Sequence, residues 1–112
     1  MEIQKDTMEN VTVFRLKGRL DASSSKQIKE NVKTQLEAGV KDLIFDMKGV
    51  DFIDSTGLGS LVAALRSVNK EGGEIKISGL QERVRVIFEL TRLHRIFDIF
   101  DSSIDAAGAF SS

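Results

Sequence analysis

Apolar and polar residues alternate along the chain with a period that changes several times, and each change marks an element. Residues 2–6 and 11–17 are short β-prone segments on either side of Met8-Glu9-Asn10, where Asn10 supplies turn chemistry, so the pattern predicts a hairpin whose second strand ends at Gly18. Over residues 22–38, Ile28, Val32 and Leu36 recur every four positions between charged neighbours, the pattern of a helix lying one face on a sheet. Asp21 or one of Ser23, Ser24 and Ser25 is its N-cap, and Gly39 is its stop. Leu43-Ile44-Phe45-Asp46-Met47 is a nearly unbroken apolar run of strand length, as in a central parallel strand covered by helices on both faces.

Beyond Gly49-Val50-Asp51-Phe52-Ile53, the residues Leu58, Leu61, Val62, Leu65 and Val68 make a second helical stripe, starting near Asp54-Ser55-Thr56 and closing at Gly72-Gly73. Glu74-Ile75-Lys76-Ile77-Ser78 alternates like a half-exposed strand, and residues 81–91 are helical by Val84, Ile87, Phe88 and Thr91. Ile99-Phe100 is short for a strand, and residues 102–109 suit a last helix capped by Ser102 with Asp105 three positions on. Strand-strand-helix and then alternating strands and helices predict an α/β fold. The expectation is a single domain over residues 1–112, with a mixed, mostly parallel sheet of about five strands, about four helices and right-handed crossovers.

Composition narrows the function classes. At 41% apolar residues the 112-residue chain can fill a small core, and no linker-like stretch or internal repeat divides it. With no cysteine and one histidine, disulfides, a thiol nucleophile and a Cys/His zinc site are excluded; no metal and no cofactor are expected. Lys and Arg number 16 against 17 Asp and Glu, with the signs interspersed and no Trp or Tyr, which argues against nucleic acid as a partner. The apolar runs, such as residues 43–45 and 61–65, fall far short of the ~20 residues that span a bilayer, and residues 1–6 carry charge where a signal peptide would be apolar. A cytoplasmic protein without membrane contact is the expectation.

One segment has unusual local chemistry. Phe52-Ile53-Asp54-Ser55-Thr56-Gly57-Leu58-Gly59 joins a strand end to a helix start, the place where open α/β sheets usually bind ligands. A hydroxyl there lies beside unpaired backbone N–H groups and the positive end of the helix dipole, so a phosphate on Ser55 suits the helix. The plainer reading is that Ser55 or Thr56 caps the helix while Gly57 and Gly59 permit close packing. Asp21, which follows Gly18-Arg19-Leu20, could likewise only cap the first helix; in the predicted fold it lies on the same rim as Asp54, placing two carboxylates around Ser55.

Enzyme signatures are missing. Asp54-Ser55-Thr56-Gly57 has one residue too many for an aspartic-protease triplet, and no second copy occurs. Gly57-Leu58-Gly59-Ser60-Leu61-Val62 lacks the third glycine of a dinucleotide fingerprint and the Lys-Ser/Thr of a P-loop. No Gly-x-Ser-x-Gly is present, and His94, within Thr91-Arg92-Leu93-His94-Arg95, reads as a surface or helix-end residue. Arg83, Arg85, Arg92 and Arg95 make the late third basic, but Glu82 and Glu89 interrupt them, as on a solvated helix face. The chain therefore reads as a non-enzyme.

Gly18-Arg19-Leu20-Asp21, then Asp42-Leu43-Ile44-Phe45-Asp46-Met47 leading to Val50-Asp51-Phe52-Ile53-Asp54-Ser55-Thr56-Gly57-Leu58-Gly59, then Ile75-Lys76-Ile77-Ser78-Gly79-Leu80, together resemble the STAS domain of bacterial anti-sigma factor antagonists over nearly the whole chain. The resemblance implies that Ser55 is phosphorylated by a serine kinase that is itself the anti-sigma factor. The unphosphorylated antagonist binds that kinase and frees the sigma factor, phosphorylation switches binding off, and a serine phosphatase restores the active form. It further implies that Asp21 and Asp54 flank the phosphoserine site, that Thr56 and Gly57 complete the motif, and that these four, with Ser24 and Leu58, contact the partner.

Two alternatives come from other classes. A phospho-aspartate receiver domain would use Asp46 at the end of its apolar strand, but the acidic pair after the first strand is missing, and after Glu74 the only lysine is Lys76, inside a strand. A nucleotide-binding STAS module would use the Ser55 helix terminus as a phosphate cradle, without a metal-binding and water-activating set.

Overall fold

The chain starts as a hairpin in which β1 (Glu2–Met8) pairs antiparallel with β2 (Val11–Leu20), from Met8 opposite Val11 to Glu2 opposite Lys17. The left-handed position of the turn is taken by Glu9, at φ 57°, and not by Asn10. The computed structural model describes residues 1–110. After the hairpin come α1 (Ala22–Glu37), β3 (Asp42–Ile53), α2 (Ser55–Lys70), β4 (Glu74–Ser78), α3 (Glu82–Leu90), a single 3₁₀ turn at Leu93–Arg95, β5 (Asp98–Phe100) and α4 (Ser103–Phe110). Among the described residues five strands form one sheet in the order β1-β2-β3-β4-β5, parallel from β2 onward, with β3 in the middle as its apolar run predicts.

Two strands run further than the apolar pattern suggests. Gly18 does not end β2: the strand continues to Leu20, and Gly18 takes φ 116°, open to glycine but strained for other residues, where the register with β3 shifts. β3 likewise continues past Met47 to Ile53, because Val50 and Ile53 keep facing the core while Lys48 and Asp51 face water. Each extension carries its strand to the same rim of the sheet, where Leu20 pairs with Ile53.

The three longer helices cover one face. Ile28 and Val32 of α1, Leu61 and Val68 of α2, and Val84 and Phe88 of α3 close over Phe14, Leu43, Phe45 and Ile77 of the sheet, all buried. The Phe14 and Phe45 rings stack at 6.0 Å between centroids, and each fully buried ring contributes about 2–3 kcal/mol through apolar area removed from water. On the other face α4, alone among the described helices, packs Ala106 and Ala107 against Val11, Val13 and Ile44. Its start is as the Ser102 spacing predicts: the Asp105 amide donates to Ser102 Oγ at 3.1 Å. No helix among the described residues is long and apolar enough to cross a membrane.

β4 differs from the half-exposed strand that its alternation suggests. Lys76 and Ser78, its polar face, are buried, because α4 packs over that face while β5 pairs along the strand's edge. Ser78 and Ser103 hydroxyls are hydrogen-bonded at 3.0 Å. The Lys76 ammonium donates to Glu74 at 2.9 Å and Asp98 at 3.0 Å, and lies 4.7 Å from the Phe110 ring centroid. Burial by itself would depress its pKa; the two carboxylate hydrogen bonds outweigh that and hold it above the ordinary lysine value of 10.5. A raised folded-state pKa means a stabilising contribution that is whole below the unfolded value and fades as pH climbs through the folded one. The stability difference between the native chain and Lys76→Met, from thermal melts, is therefore expected to stay constant up to about pH 10.5 and to move against the native chain above it. A difference independent of pH over that range would contradict this.

Candidate functional site

The rim of the sheet at the C-terminal ends of β2 and β3 is where α1 and α2 begin, and both helices are capped by the aspartate that directly follows the preceding strand. Asp54, in extended conformation, accepts the Gly57 amide at 2.9 Å on Oδ1, while its own carbonyl accepts from Leu58. Asp21 caps α1 in the same way, accepting the Ser23 amide at 3.0 Å and the Ser23 hydroxyl at 2.6 Å. The Ser23 hydroxyl bond, with the amide and the Arg19 guanidinium at 3.7 Å, holds the Asp21 carboxyl below its ordinary pKa. Asp21 is thus ionised throughout the physiological range.

Because Asp54 does the capping, the plainer reading of Ser55 and Thr56 as caps does not hold. Ser55 is the first residue of α2; its side chain and that of Thr56 are exposed, and neither hydroxyl is hydrogen-bonded to any described residue. The amides of Ser55 and Thr56 have no intrahelical acceptor, so two donors and the positive end of the dipole lie beside a free hydroxyl. An anionic group on the Ser55 oxygen would meet them directly.

Gly57 brings the two rims together. It is buried, and a Cβ built there would fall 2.0 Å from the Leu20 carbonyl oxygen and 2.7 Å from its carbon. The first turn of α2 therefore lies directly on the end of β2, where the Asp54 amide donates to that same carbonyl at 3.3 Å. Leu58 is half-buried against the core.

Of the residues read from the sequence as partner contacts, Asp21, Asp54, Thr56 and Leu58 reach the surface around Ser55. Ser24 does not. It is fully buried at 0% exposure, with its hydroxyl within 2.9–3.1 Å of the Asp21 amide and the Arg19 and Asp21 carbonyls, so it ties the start of α1 to β2. Gly57 is also a packing residue and offers the surface no side chain. Sequence reasoning gave no role to Arg19, whose guanidinium carbon lies 3.8 Å over the centroid of the Phe52 ring on the adjacent strand. Their pairing across β2 and β3 depends on the register shift, which leaves no mark in the sequence.

The remaining candidates lie elsewhere. Asp46 is not at a strand end: it is 4% exposed in the middle of β3, accepting from Arg15 at 2.7 Å and from the Lys48 amide at 3.0 Å. That burial removes the receiver-type reading. His94 lies in the 3₁₀ turn with Nδ1 3.4 Å from the Phe88 carbonyl oxygen. Among the described residues no group of His, Cys, Asp and Glu side chains is placed to hold a metal ion.

Known proteins share this fold. The STAS domain family model matches residues 2–106. An anti-sigma-B factor antagonist of Bacillus subtilis is 36% identical over 91 residues, covering 81% of this chain and 83% of that protein. Among solved structures, an anti-sigma factor antagonist from Mycobacterium paratuberculosis superposes with a TM-score of 0.87 at 22% identity, covering 99% of this chain and 94% of that one. The Bacillus antagonist SpoIIAA, solved in unphosphorylated and phosphorylated forms, superposes with a TM-score of 0.75 in each at 21% identity; coverage is 98% and 97% of this chain, and 97% and 99% of theirs.

Proposed function

The chain belongs to the STAS domain family, and from that premise we propose that it is an anti-sigma factor antagonist whose binding is switched by phosphorylation of Ser55. The unphosphorylated rim of Asp21, Asp54, Ser55, Thr56 and Leu58 docks on an anti-sigma factor and releases the sigma factor that it held. The anti-sigma factor is also the serine kinase: the Ser55 oxygen attacks the γ-phosphorus of its ATP, ADP leaves, and the hydroxyl proton is given up. A serine phosphatase then hydrolyses the phosphoserine to serine and inorganic phosphate. The protein is a substrate and a binding partner in this cycle, not an enzyme, and the exchange takes place in the cytoplasm without nucleic acid or membrane contact.

One observation carries this reading. Ser55 opens α2 with a hydroxyl that is exposed and has no structural duty, because Asp54 has taken over the cap. The existence of a phosphorylated form of SpoIIAA supports the chemistry. The test is to incubate the native chain, Ser55→Ala and Thr56→Ala with the anti-sigma factor kinase and ATP, and to weigh each intact. The native chain and Thr56→Ala are expected to gain one phosphate, and Ser55→Ala none, with an unchanged melting temperature. Phosphate on Ser55→Ala would place the acceptor elsewhere.

A further inference from the structure

The outer surface between α1 and α2 holds an open groove of about 730 Å³ that starts at Thr56 and Ser25, beside Ser55, and runs toward Glu37 and Glu71. Its existence follows from side-chain size. On α2 the positions facing it are Thr56, Ser60, Ala63, Ala64 and Ser67, spaced three or four apart on one helix face and none longer than threonine. Val32 and Leu36 of α1 give it an apolar floor. Along α2, from Thr56 to Glu71, it is about 22 Å long, the length of a helix of about 15 residues.

The charges on the groove are arranged along its length. Lys29 and Lys33 stand on the α1 side, and Glu37 and Glu71 close the far end; none of the four has an ion-pair partner among the described residues. Both helices cross between parallel strands and so run in the same direction, placing both positive dipole ends at the Ser55 end and both negative ends beside the glutamates. The groove lining is therefore positive at Lys29 and Lys33 and negative at Glu37 and Glu71, while the Asp21 and Asp54 caps offset the two dipoles on the rim beyond its Ser55 end.

We propose that this groove receives an amphipathic helix of the anti-sigma factor, running antiparallel to α1 and α2. Its apolar i, i+3, i+4, i+7 stripe lies on Val32, Leu36 and the small α2 residues, and its carboxylates face Lys29 and Lys33. The antiparallel direction places the positive N-terminus of the incoming helix beside Glu37 and Glu71. An open trough of this length fits a helix better than a compact small molecule, which needs most of its surface enclosed. The identity of the partner rests on the Ser55 reading, and the groove adds to it a reason for the switch: a phosphate at position 55 would stand at the mouth of the groove, against the negative C-terminal end of the incoming helix.

The experiment uses the full unmodified chain, without kinase or phosphate, so its failure leaves the Ser55 reading intact. The probe is a synthetic helical peptide of about 15 residues with leucines at the stripe positions and glutamates along one flank. It is titrated into isotope-labelled protein while amide shifts are followed. Shifts are expected to concentrate in residues 25–37 and 56–71. A peptide with lysines in place of the glutamates, and a Lys29→Glu/Lys33→Glu variant that melts like the native chain, are each expected to weaken binding by about tenfold. Equal affinity for acidic and basic peptides, shifts centred on α3 or α4, or the same shifts produced by dodecanoate at lower concentration than by peptide would each overturn the proposal; the last would reassign the groove to a small amphiphile.

Discussion

Replacing Gly57 by alanine is expected to destabilise the fold by roughly 3 kcal/mol and to lower the melting temperature by on the order of 10–20 °C. Helix propensity argues the opposite way, since alanine in a helix is favoured over glycine by about 1 kcal/mol. Contact decides. The new methyl would stand 2.0 Å from the Leu20 carbonyl oxygen, and both partners there are backbone, so no flexible side chain can move aside. Either α2 lifts off the end of β2, breaking the Asp54 amide bond to Leu20, or β2 gives way. Gly59, two residues on, is the control: nothing lies within 4 Å of a Cβ built there, so Gly59→Ala is expected to stabilise by about 0.5–1 kcal/mol. Opposite signs from the same substitution in one helix turn would identify close approach as the reason for Gly57. A Gly57→Ala variant that melts like the native chain would remove it.

The second large effect is on binding. A phosphoserine at position 55 adds about −1.5 to −2 charge and three acceptor oxygens to a rim that already carries Asp21 and Asp54. A partner surface shaped for a neutral hydroxyl must then desolvate that charge or retreat from it, at a cost on the order of 2–4 kcal/mol, or ~30- to 1000-fold in affinity. The domain itself should tolerate the phosphate. The free Ser55 and Thr56 amides and the helix dipole favour it by about 0.3–1 kcal/mol, which offsets repulsion from Asp54. Calorimetric titration of the anti-sigma factor with unmodified and phosphorylated protein is expected to show that loss of affinity. Equal affinities would mean that Ser55 lies outside the interface.

Much of the fold was legible because apolar period and punctuation agreed. The stripes through Ile28, Val32 and Leu36, and through Leu61 and Val68, located α1 and α2, and Gly39 and Gly72 closed them. What the pattern hid was long-range. Lys48, Gly49 and Asp51 interrupt the apolar run of β3, yet the strand continues because a register shift at Asp51 keeps both Val50 and Ile53 on the core face. Lys76 reads as a solvent-facing lysine until α4 brings Phe110 over it. At the site, Asp54, Ser55 and Thr56 are all competent caps, and only the folded backbone, which aims the Gly57 amide at Asp54, separates the residue that caps from those left free. Three successive serines gave no sign that Ser24 is buried while its neighbours reach the surface; the turn phase of α1 decides that.

The central claim is that a phosphate on Ser55 acts locally, on a helix terminus already formed, and changes binding without refolding the domain. Its most direct test compares amide chemical shifts of the chain made with serine and with phosphoserine at position 55, phosphoserine being introduced during synthesis so that no kinase is needed. Changes confined to residues 21–25 and 54–61 are expected, since both helix starts are fixed by their aspartate caps and by core packing. Shifts spreading through Glu74–Ser78 and the C-terminal helices would contradict the claim and point to a rearrangement of the sheet and its cover.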